Sequence, residues 1–462
     1  MALSPPIDPA QLPVLRRGAP VRGTYYVQTW GCQMNVEDSE QIELSLREIG
    51  FRPSRSMQTA DVVVLNTCSV RKKPEDKAFS LLGELAEWKA RRPHAVLGVC
   101  GCMAQLRAEE IRRRAPHVDF VVGTAHVATI GGLVEEILQR RRFAIRLDLP
   151  ERKGAIVTDL PTRRSRRTAK LKAFVPIQYG CDKFCTFCIV PTTRGRERSR
   201  PVDDIVSEVA TLAARGTKEV TLLGQTVNSY GKNLPAGKTT FAQLLWRLAE
   251  VEGLERIRYT SPYPRDFRED LIQAHRECAK VMEHCHLPLQ SGCDEVLRQM
   301  KRVYTLDQFR AIYRVLRSVP EMSVTTDVIV GFPGETELQF EETLEVMREL
   351  RFDSAFMFAY SPRPGTPSAM REDRVPIEIS RRRLQALIAL QNRITYEVNA
   401  SSIGKVAEVL VEGPSEKDAG LLKGLTRNMK TVHFAGKSSW AGELVWVRLD
   451  EPFVWGFRGR AC

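Results

Sequence analysis

Three cysteines, Cys181, Cys185 and Cys188, stand in a C-x3-C-x2-C spacing within the stretch Phe174 to Arg198, FVPIQYGCDKFCTFCIVPTTRGRER. A run of β-type residues, Phe174 to Gln178, leads into them, and a helix start is expected at Ser199-Arg200-Pro201. Three thiolates in a short loop at a strand end can each hold one corner of a [4Fe-4S] cube. Such a loop leaves the fourth iron without a protein ligand and open to a substrate or cofactor, whereas clusters that only carry electrons usually take four protein ligands. A structural zinc site is the competing reading, but it calls for four tetrahedral ligands, and neither a second C-x2-C knuckle nor a histidine lies nearby. Unrelated packing thiols are the weakest alternative, because cores rarely need three cysteines in eight residues.

Stepping outward, Phe187 immediately before the last cysteine makes this loop similar to the signature of the radical S-adenosylmethionine superfamily. The wider string Gln178-Tyr179-Gly180-Cys181-Asp182-Lys183-Phe184-Cys185-Thr186-Phe187-Cys188, followed by Arg194-Gly195-Arg196-Glu197, resembles the methylthiotransferases within it.

The chain has 462 residues, enough for two to four domains, with 43% hydrophobic and 27% charged residues as in ordinary globular proteins. A formal charge of +13 favours a polyanionic partner such as nucleic acid. Eleven cysteines are too few for a disulfide scaffold at this length, and their clustering fits metal ligation in a reducing cytosol. The proline-rich start lacks a continuous apolar segment, and nothing approaches a transmembrane span. These features predict a soluble, cytoplasmic protein without a membrane partner.

Residues 1–22 read as a flexible tail. From Thr24 strands and helices alternate: Thr24–Thr29, Asp61–Asn66, Ala95–Val99 and Phe120–Val122 are the strand candidates. Near-continuous apolar strands separated by amphipathic helices predict an open parallel sheet covered on both faces. Cys32, Cys68 and Cys102 each fall just past the carboxyl end of a different strand, the edge where such sheets form their ligand crevice. A second thiol site follows from that placement. Gly31-Cys32-Gln33-Met34-Asn35, Asn66-Thr67-Cys68-Ser69-Val70-Arg71 and Gly101-Cys102 resemble the auxiliary-cluster motifs of the methylthiotransferases. Cys100 is the competing thiol; Cys102, beside the glycine, is preferred.

Residues 162–172, TRRSRRTAKLK, carry six basic side chains and no acid. They suit equally a solvated linker and a phosphate contact near the site. Beyond them six β/α units are counted, the cluster strand first. The others are Glu219–Leu223, Arg256–Thr260, Cys285–Leu289, Ser323–Val330 and Ser354–Tyr360, with Ser199 expected to cap the first helix. Six such units predict a partial barrel with its site at the strand carboxyl ends, which is similar to the radical-enzyme core. By the resemblance Phe187, Gly224, Gln225, Gln290 and Gly331 bind S-adenosylmethionine. Two positions depart from the family pattern, Thr192 where an aromatic residue is usual and Cys293 where a small non-thiol is usual; Cys278, Cys285, Cys293 and Cys462 read as bystanders.

A helical stretch from Ile377 to Asn399 leads to short β runs with glycine turns over residues 402–462, predicting a small all-β barrel. Lys423, Arg427, Lys430, Lys437, Arg448 and Arg458, interleaved with Trp440, Trp446, Trp455 and Phe457, suit single-stranded RNA, whose bases stack and whose phosphates need cations. The segment resembles the TRAM RNA-binding module. The expected organisation is α/β: a tail (1–22), an open parallel-sheet domain with the auxiliary cluster (23–143), a basic linker (144–166), a partial (β/α)6 radical SAM barrel (167–397) and the small all-β barrel (400–462).

The resemblance implies a reaction that replaces the C–H bond at C2 of an isopentenylated adenosine beside the tRNA anticodon with C–S–CH3. It implies two [4Fe-4S] clusters, one on Cys181, Cys185 and Cys188 and one on Cys32, Cys68 and Cys102, and two S-adenosylmethionine molecules per turnover. The implied partners are the tRNA anticodon stem-loop and a one-electron reductant such as flavodoxin or ferredoxin, with the chain a monomer and no catalytic residue beyond the cluster ligands. The competing readings are a sibling enzyme acting on threonylcarbamoyladenosine or a ribosomal protein, and a non-catalytic RNA-binding iron–sulfur sensor.

Overall fold

The computed structural model describes residues 21–69, 72–150, 170–234, 237–416, 418 and 420–462. Residues 1–20 of the tail and 162–169 of the basic run lie outside the described residues, as do Val70 and Arg71.

The amino-terminal unit is a single parallel sheet. Its elements are β1 (Gly23–Trp30), α1 (Gln33–Glu48), β2 (Phe51–Pro53), β3 (Val62–Thr67), α2 (Lys72–Arg91), β4 (Val96–Cys100), α3 (Cys102–Arg114), β5 (Phe120–Val122), α4 (Ile130–Arg140) and β6 (Ala144–Arg146). The strand order is β2-β1-β3-β4-β5-β6, every pair parallel. β3 and β4 are buried along their whole length, as strands covered by helices on both faces must be. Two strands were not expected. β2 and β6 are three residues long, too short for an alternating pattern, and β6 occupies the start of the segment read as a linker.

The central unit begins with β7 (Lys172–Pro176) and β8 (Gln178–Tyr179), then α5 (Val190–Arg194), β9 (Arg198–Ser199), α6 (Val202–Ala213) and β10 (Glu219–Leu223). It continues through α7 (Phe241–Ala249), β11 (Arg256–Tyr259), α8 (Glu269–Glu277), β12 (His284–His286), α9 (Asp294–Gln299) and α10 (Leu306–Arg317). It ends with β13 (Ser323–Val330), α11 (Glu337–Leu350), β14 (Ser354–Ala359) and α12 (Ile377–Ala400). Two parallel sheets, β11-β10-β7 and β12-β13-β14, join where Ile257 bridges Val281, making one arc of six strands. Val175, Val220, Leu222, Ile257, Cys285, Val324 and Val328 share one core with the helices, and the alternate residues of these strands face the concave side of the arc, where Phe174 of β7 meets Met34 of α1. Ser199 does not cap α6. It lies in β9, paired with Gln178, and its hydroxyl accepts from Gly231 N at 3.0 Å, while Pro201 precedes the helix.

The carboxyl-terminal unit closes as a barrel in the order β15-β16-β17-β19-β18. Its strands are β15 (Val406–Pro414), β16 (Leu422–Thr426), β17 (Thr431–Ala435), β18 (Leu444–Phe453) and β19 (Gly456–Ala461). The barrel seats against the amino-terminal ends of the arc's strands. Arg256 of β11 donates to Leu425 O at 2.7 Å and pairs with Glu408 at 2.8 Å. Arg258 donates to the carbonyls of Thr426 and Arg427, both at 2.7 Å, and pairs with Glu219 at 3.0 Å. Arg427 pairs with Glu283 at 2.7 Å, and Lys430 with Asp353 at 3.2 Å. The thiol loops lie at the other edge.

Candidate active site: two thiol triads at adjoining strand edges

The loop holding Cys181, Cys185 and Cys188 is fixed by its own backbone. Cys181 N donates to Gly195 O at 3.1 Å, Cys188 N donates to Cys185 O at 3.1 Å, and Thr186 N donates to Met300 O at 3.0 Å. Burial pushes the Cys181 and Cys188 thiols up to about 12, with Cys185 adding repulsion in both cases. The Arg302 guanidinium lies 3.6 Å from Cys185 Sγ and stacks over the Tyr263 and Tyr304 rings. Phe187 packs with Cys293, Val296, Met300, Ile329, Phe332 and Tyr360, a small apolar cluster at the strand tips. The unexpected thiol of Cys293 is thus a buried packing group.

The second triad sits at the carboxyl edge of the amino-terminal sheet. Cys32 precedes α1, Cys68 directly follows β3, and Cys102 opens α3. Two fully buried asparagines tie their loops together. Asn35 Oδ1 accepts from Cys32 N at 3.2 Å, and Asn35 Nδ2 donates to Asn66 Oδ1 at 3.2 Å. Asn66 Nδ2 in turn donates to Asn35 O at 2.8 Å and Ser39 Oγ at 2.9 Å. Gly101 has φ +89, and a Cβ there would lie 2.5 Å from Asn66 Oδ1, so the residue before Cys102 must be glycine on both counts. Cys100, by contrast, ends β4 inside the apolar core.

Guanidinium groups from the central unit complete this edge. Arg194, the last residue of α5, pairs with Asp38 of α1 at 2.7 Å, both side chains buried, and hydrogen-bonds the Cys102 thiol. Its charge also acts on Cys32. Arg363 lies 3.5 Å from Glu75 and acts on Cys68. Thr124 Oγ1 donates to Thr193 O at 2.6 Å, so the segment that follows Cys188 is clamped onto the amino-terminal sheet. Both cysteine loops therefore lie where the amino-terminal sheet and the central unit touch.

Among the described residues no three His, Cys, Asp or Glu side chains close on one point as ligands of a single ion would. The thiols of a [4Fe-4S] site bind separate iron corners and sit wider apart. Buried sulfurs beside buried guanidinium groups fit a group that carries net negative charge once the thiols lose their protons.

Of the residues expected at S-adenosylmethionine, Gly224 and Gln225 follow β10, and Gln290 and Gly331 follow β12 and β13. Gln290 has φ +71, is buried, and its Oε1 has no hydrogen-bond partner. Gln178 Oε1 is likewise buried without a partner and faces Gly224. Two orphaned amide oxygens at strand tips fit the hydroxyl and ammonium donors of that cofactor. Gly331 has a further reason to be glycine: φ is +70, and a Cβ would lie 2.2 Å from Ser380 Oγ of α12.

At the carboxyl-terminal barrel the basic and aromatic residues divide between packing and surface. Arg427 and Lys430 are occupied by ion pairs to the central unit, Lys423 faces Glu412 at 3.6 Å, and Phe457 is core. Trp446 and Trp455 are exposed, with Lys437, Arg448 and Arg458. Two basic residues of the run are described: Lys170 pairs with Glu40 at 2.8 Å and Lys172 with Glu412.

Residues 24–123 match the model of Uncharacterized protein family UPF0004, and residues 175–347 match that of the Radical SAM superfamily. The radical SAM methyltransferase TsrM from Kitasatospora setae, solved with tryptophan and a SAM analogue, shares the fold at TM-score 0.55 and 15% identity, over 75% of each chain. Arc, cysteine loop and match define a radical SAM enzyme, a class whose chemistry uses a [4Fe-4S] cluster and S-adenosylmethionine. A tRNA-2-methylthio-N(6)-dimethylallyladenosine synthase from Carboxydothermus hydrogenoformans is 44% identical over 94% of this chain and 98% of its own. One from Moorella thermoacetica is 45% identical over 95% and 98%. The chain belongs to the tRNA-2-methylthio-N(6)-dimethylallyladenosine synthase family. Among the described residues no helix is long and apolar enough to cross a membrane.

Proposed function

We propose that this enzyme installs a methylthio group at C2 of N6-isopentenyladenosine beside the tRNA anticodon. The observation that carries the reading is the meeting of two thiol triads at adjoining strand edges, bridged by α5 and Arg194. Cys181, Cys185 and Cys188 would hold one [4Fe-4S] cluster, and Cys32, Cys68 and Cys102 a second. When bound, the first with S-adenosylmethionine supplies a carbon radical able to take hydrogen from adenine C2, and the second supplies sulfur, a further S-adenosylmethionine giving the methyl group.

The chain's own residues bind, orient and shield. Gln178 and Gln290 offer carbonyl acceptors to the cofactor's donors. Arg302 on one triad and Arg194 on the other counter the negative charge of deprotonated thiols. The apolar cluster of Phe187, Phe332 and Tyr360 keeps water from the strand tips.

The test is an anaerobic reaction of reconstituted enzyme with reductant, S-adenosylmethionine and defined tRNA, with and without the isopentenyl group. Mass gain of one S–CH3 in place of H on the prenylated RNA is expected. Reaction only on threonylcarbamoylated RNA would move the enzyme to its sibling class. No cleavage of S-adenosylmethionine under reduction would support the sensor reading.

A further inference from the structure

The concave face of the arc carries side chains that belong to neither thiol triad. On β12, β13 and β14, residues paired across strands share a face, and Cys285, Val324, Thr326, Val328 and Ala355 take the helix side. Their neighbours, His286, Thr325, Asp327, Ile329, Phe356 and Phe358, therefore point into the concavity. There Phe356 is 53% and Phe358 38% exposed, on a strand whose other face is core. Two open phenyl rings at alternate positions are costly to leave in water unless something apolar covers them.

The rings have a polar neighbour. His286 shares a 2.9 Å hydrogen bond with Thr325 Oγ1 through Nδ1 and lies 3.2 Å from Asp327 Oδ2 through Nε2, so both ring nitrogens are engaged. The imidazole meets the Phe356 ring edge to face at 5.7 Å. Asp327 pairs with Phe356 across the ladder and Ile329 with Phe358. Ile329 reaches the apolar cluster of Phe187, the neighbour of Cys188. The patch thus starts beside the cluster that holds Phe187 and opens down β14 from Phe358 to Phe356.

Resting on the function proposed above, we infer that this patch is the subsite for the prenylated base: Phe356 and Phe358 take the five-carbon branch, and Asp327, oriented by His286, accepts the N6–H. The ligand chemistry matches on each count. An N6-isopentenyladenine joins one N–H donor to a planar ring and a branched apolar tail. An extruded base is held by stacking on aromatic side chains and by hydrogen bonds to its edge. A carboxylate discriminates little between prenylated and unmodified adenine, since both keep an N6–H; the phenyl pair supplies the discrimination.

The experiment uses the full-length reconstituted enzyme and anticodon stem-loops with adenosine or isopentenyladenosine. The ratio of kcat/KM for the two RNAs is compared in wild type, Phe356→Ala, Phe358→Ala, Phe356→Leu and Asp327→Asn. Each phenylalanine-to-alanine change is expected to cut the ratio by about 10-fold or more, as loss of an apolar contact does. Leucine restores much of it, and Asp327→Asn lowers kcat/KM on both RNAs alike. Release of deoxyadenosine without RNA reports cofactor binding and stays near wild type in all phenylalanine variants. An unchanged ratio, or a loss of S-adenosylmethionine affinity with the ratio intact, would assign the patch elsewhere and overturn the inference. If wild type modifies neither RNA, the functional reading fails. Dialysis of free isopentenyladenosine against adenosine, with wild type and Phe356→Ala, then decides the subsite by itself.

Discussion

Arg194 reaches out of the central unit to within 2.7 Å of Asp38 in the amino-terminal sheet, and the same guanidinium bonds Cys102. A residue six positions after Cys188 thus acts on the other triad. Removing one partner of a buried pair leaves the other uncompensated, at about 3–5 kcal/mol. Arg194→Met is expected to lower the denaturation midpoint and the iron retained at Cys32, Cys68 and Cys102. Adding Asp38→Asn recovers the stability without the iron. In a background lacking Cys181, Cys185 and Cys188, Arg194→Met also moves the remaining cluster's potential more negative, since a positive neighbour favours the reduced form.

The place of the thiols in the fold was legible because cysteines at strand ends announce themselves twice, by spacing and by position in the β/α alternation. The strands Glu219–Leu223 and Ser323–Val330 were read with the bounds they have. The arginines were not. Arg194, Arg302 and Arg363 lie in polar stretches where charge ordinarily means solvent, and their burial comes from residues distant in sequence. Arg256 and Arg258 likewise alternate as exposed strand residues would, because the barrel that covers them comes some 150 residues later: their partners are Glu408 and Arg427. Ser199 had the composition of a cap, but pairing of β9 with β8 outweighed it.

The seat of the carboxyl-terminal barrel hangs on Glu219, buried against Arg258. Glu219→Gln leaves Arg258 among backbone carbonyls with its charge unanswered, while burial already disfavours its charged form. A loss of about 3–5 kcal/mol is expected, seen as early proteolytic release of residues beyond α12. Deoxyadenosine release without RNA should persist, because the thiol crevice is at the opposite strand edge.

His275 sets an acid limit. It is buried beneath Tyr259, whose hydroxyl lies 2.7 Å from Nε2, and burial lowers its pKa to about 4. An unfolded histidine titrates near 6.5, so the unfolded chain binds the extra proton first. Stability from this group is complete above about pH 6.5, falls through the window down to about pH 4, and loses about 3 kcal/mol in all. His275→Gln should flatten the fall of the unfolding midpoint between those pH values, whatever its effect at pH 7.

Gly331→Ala separates two costs at one position. The Cβ would meet Ser380 Oγ, and φ +70 strains any side chain. The single variant is expected to lose about 2 kcal/mol or more and to weaken S-adenosylmethionine binding. Ser380→Gly added to it removes the clash and not the strain. Partial recovery in calorimetry is the expected result; full recovery would show that φ is not limiting.

If the carboxyl-terminal barrel binds RNA, its exposed side chains and not its interdomain ones should carry the contact. Arg427 is spent on Glu283, whereas Trp446 stands 57% exposed on β18, two residues before the exposed Arg448. Stacking on an open indole contributes about 1–3 kcal/mol per base. Trp446→Ala should therefore weaken tRNA binding by about 10-fold with an unchanged unfolding midpoint and an unchanged salt slope. Arg448→Ala should lower the salt slope by about one, as loss of a single phosphate contact does. Arg427→Ala should act the other way round, lowering the midpoint first, since its charge holds the barrel to β12. Filter binding across a salt series, run beside thermal unfolding, distinguishes the two. Equal loss of affinity from Arg427→Ala at constant stability would return the RNA surface to the interdomain side of the barrel.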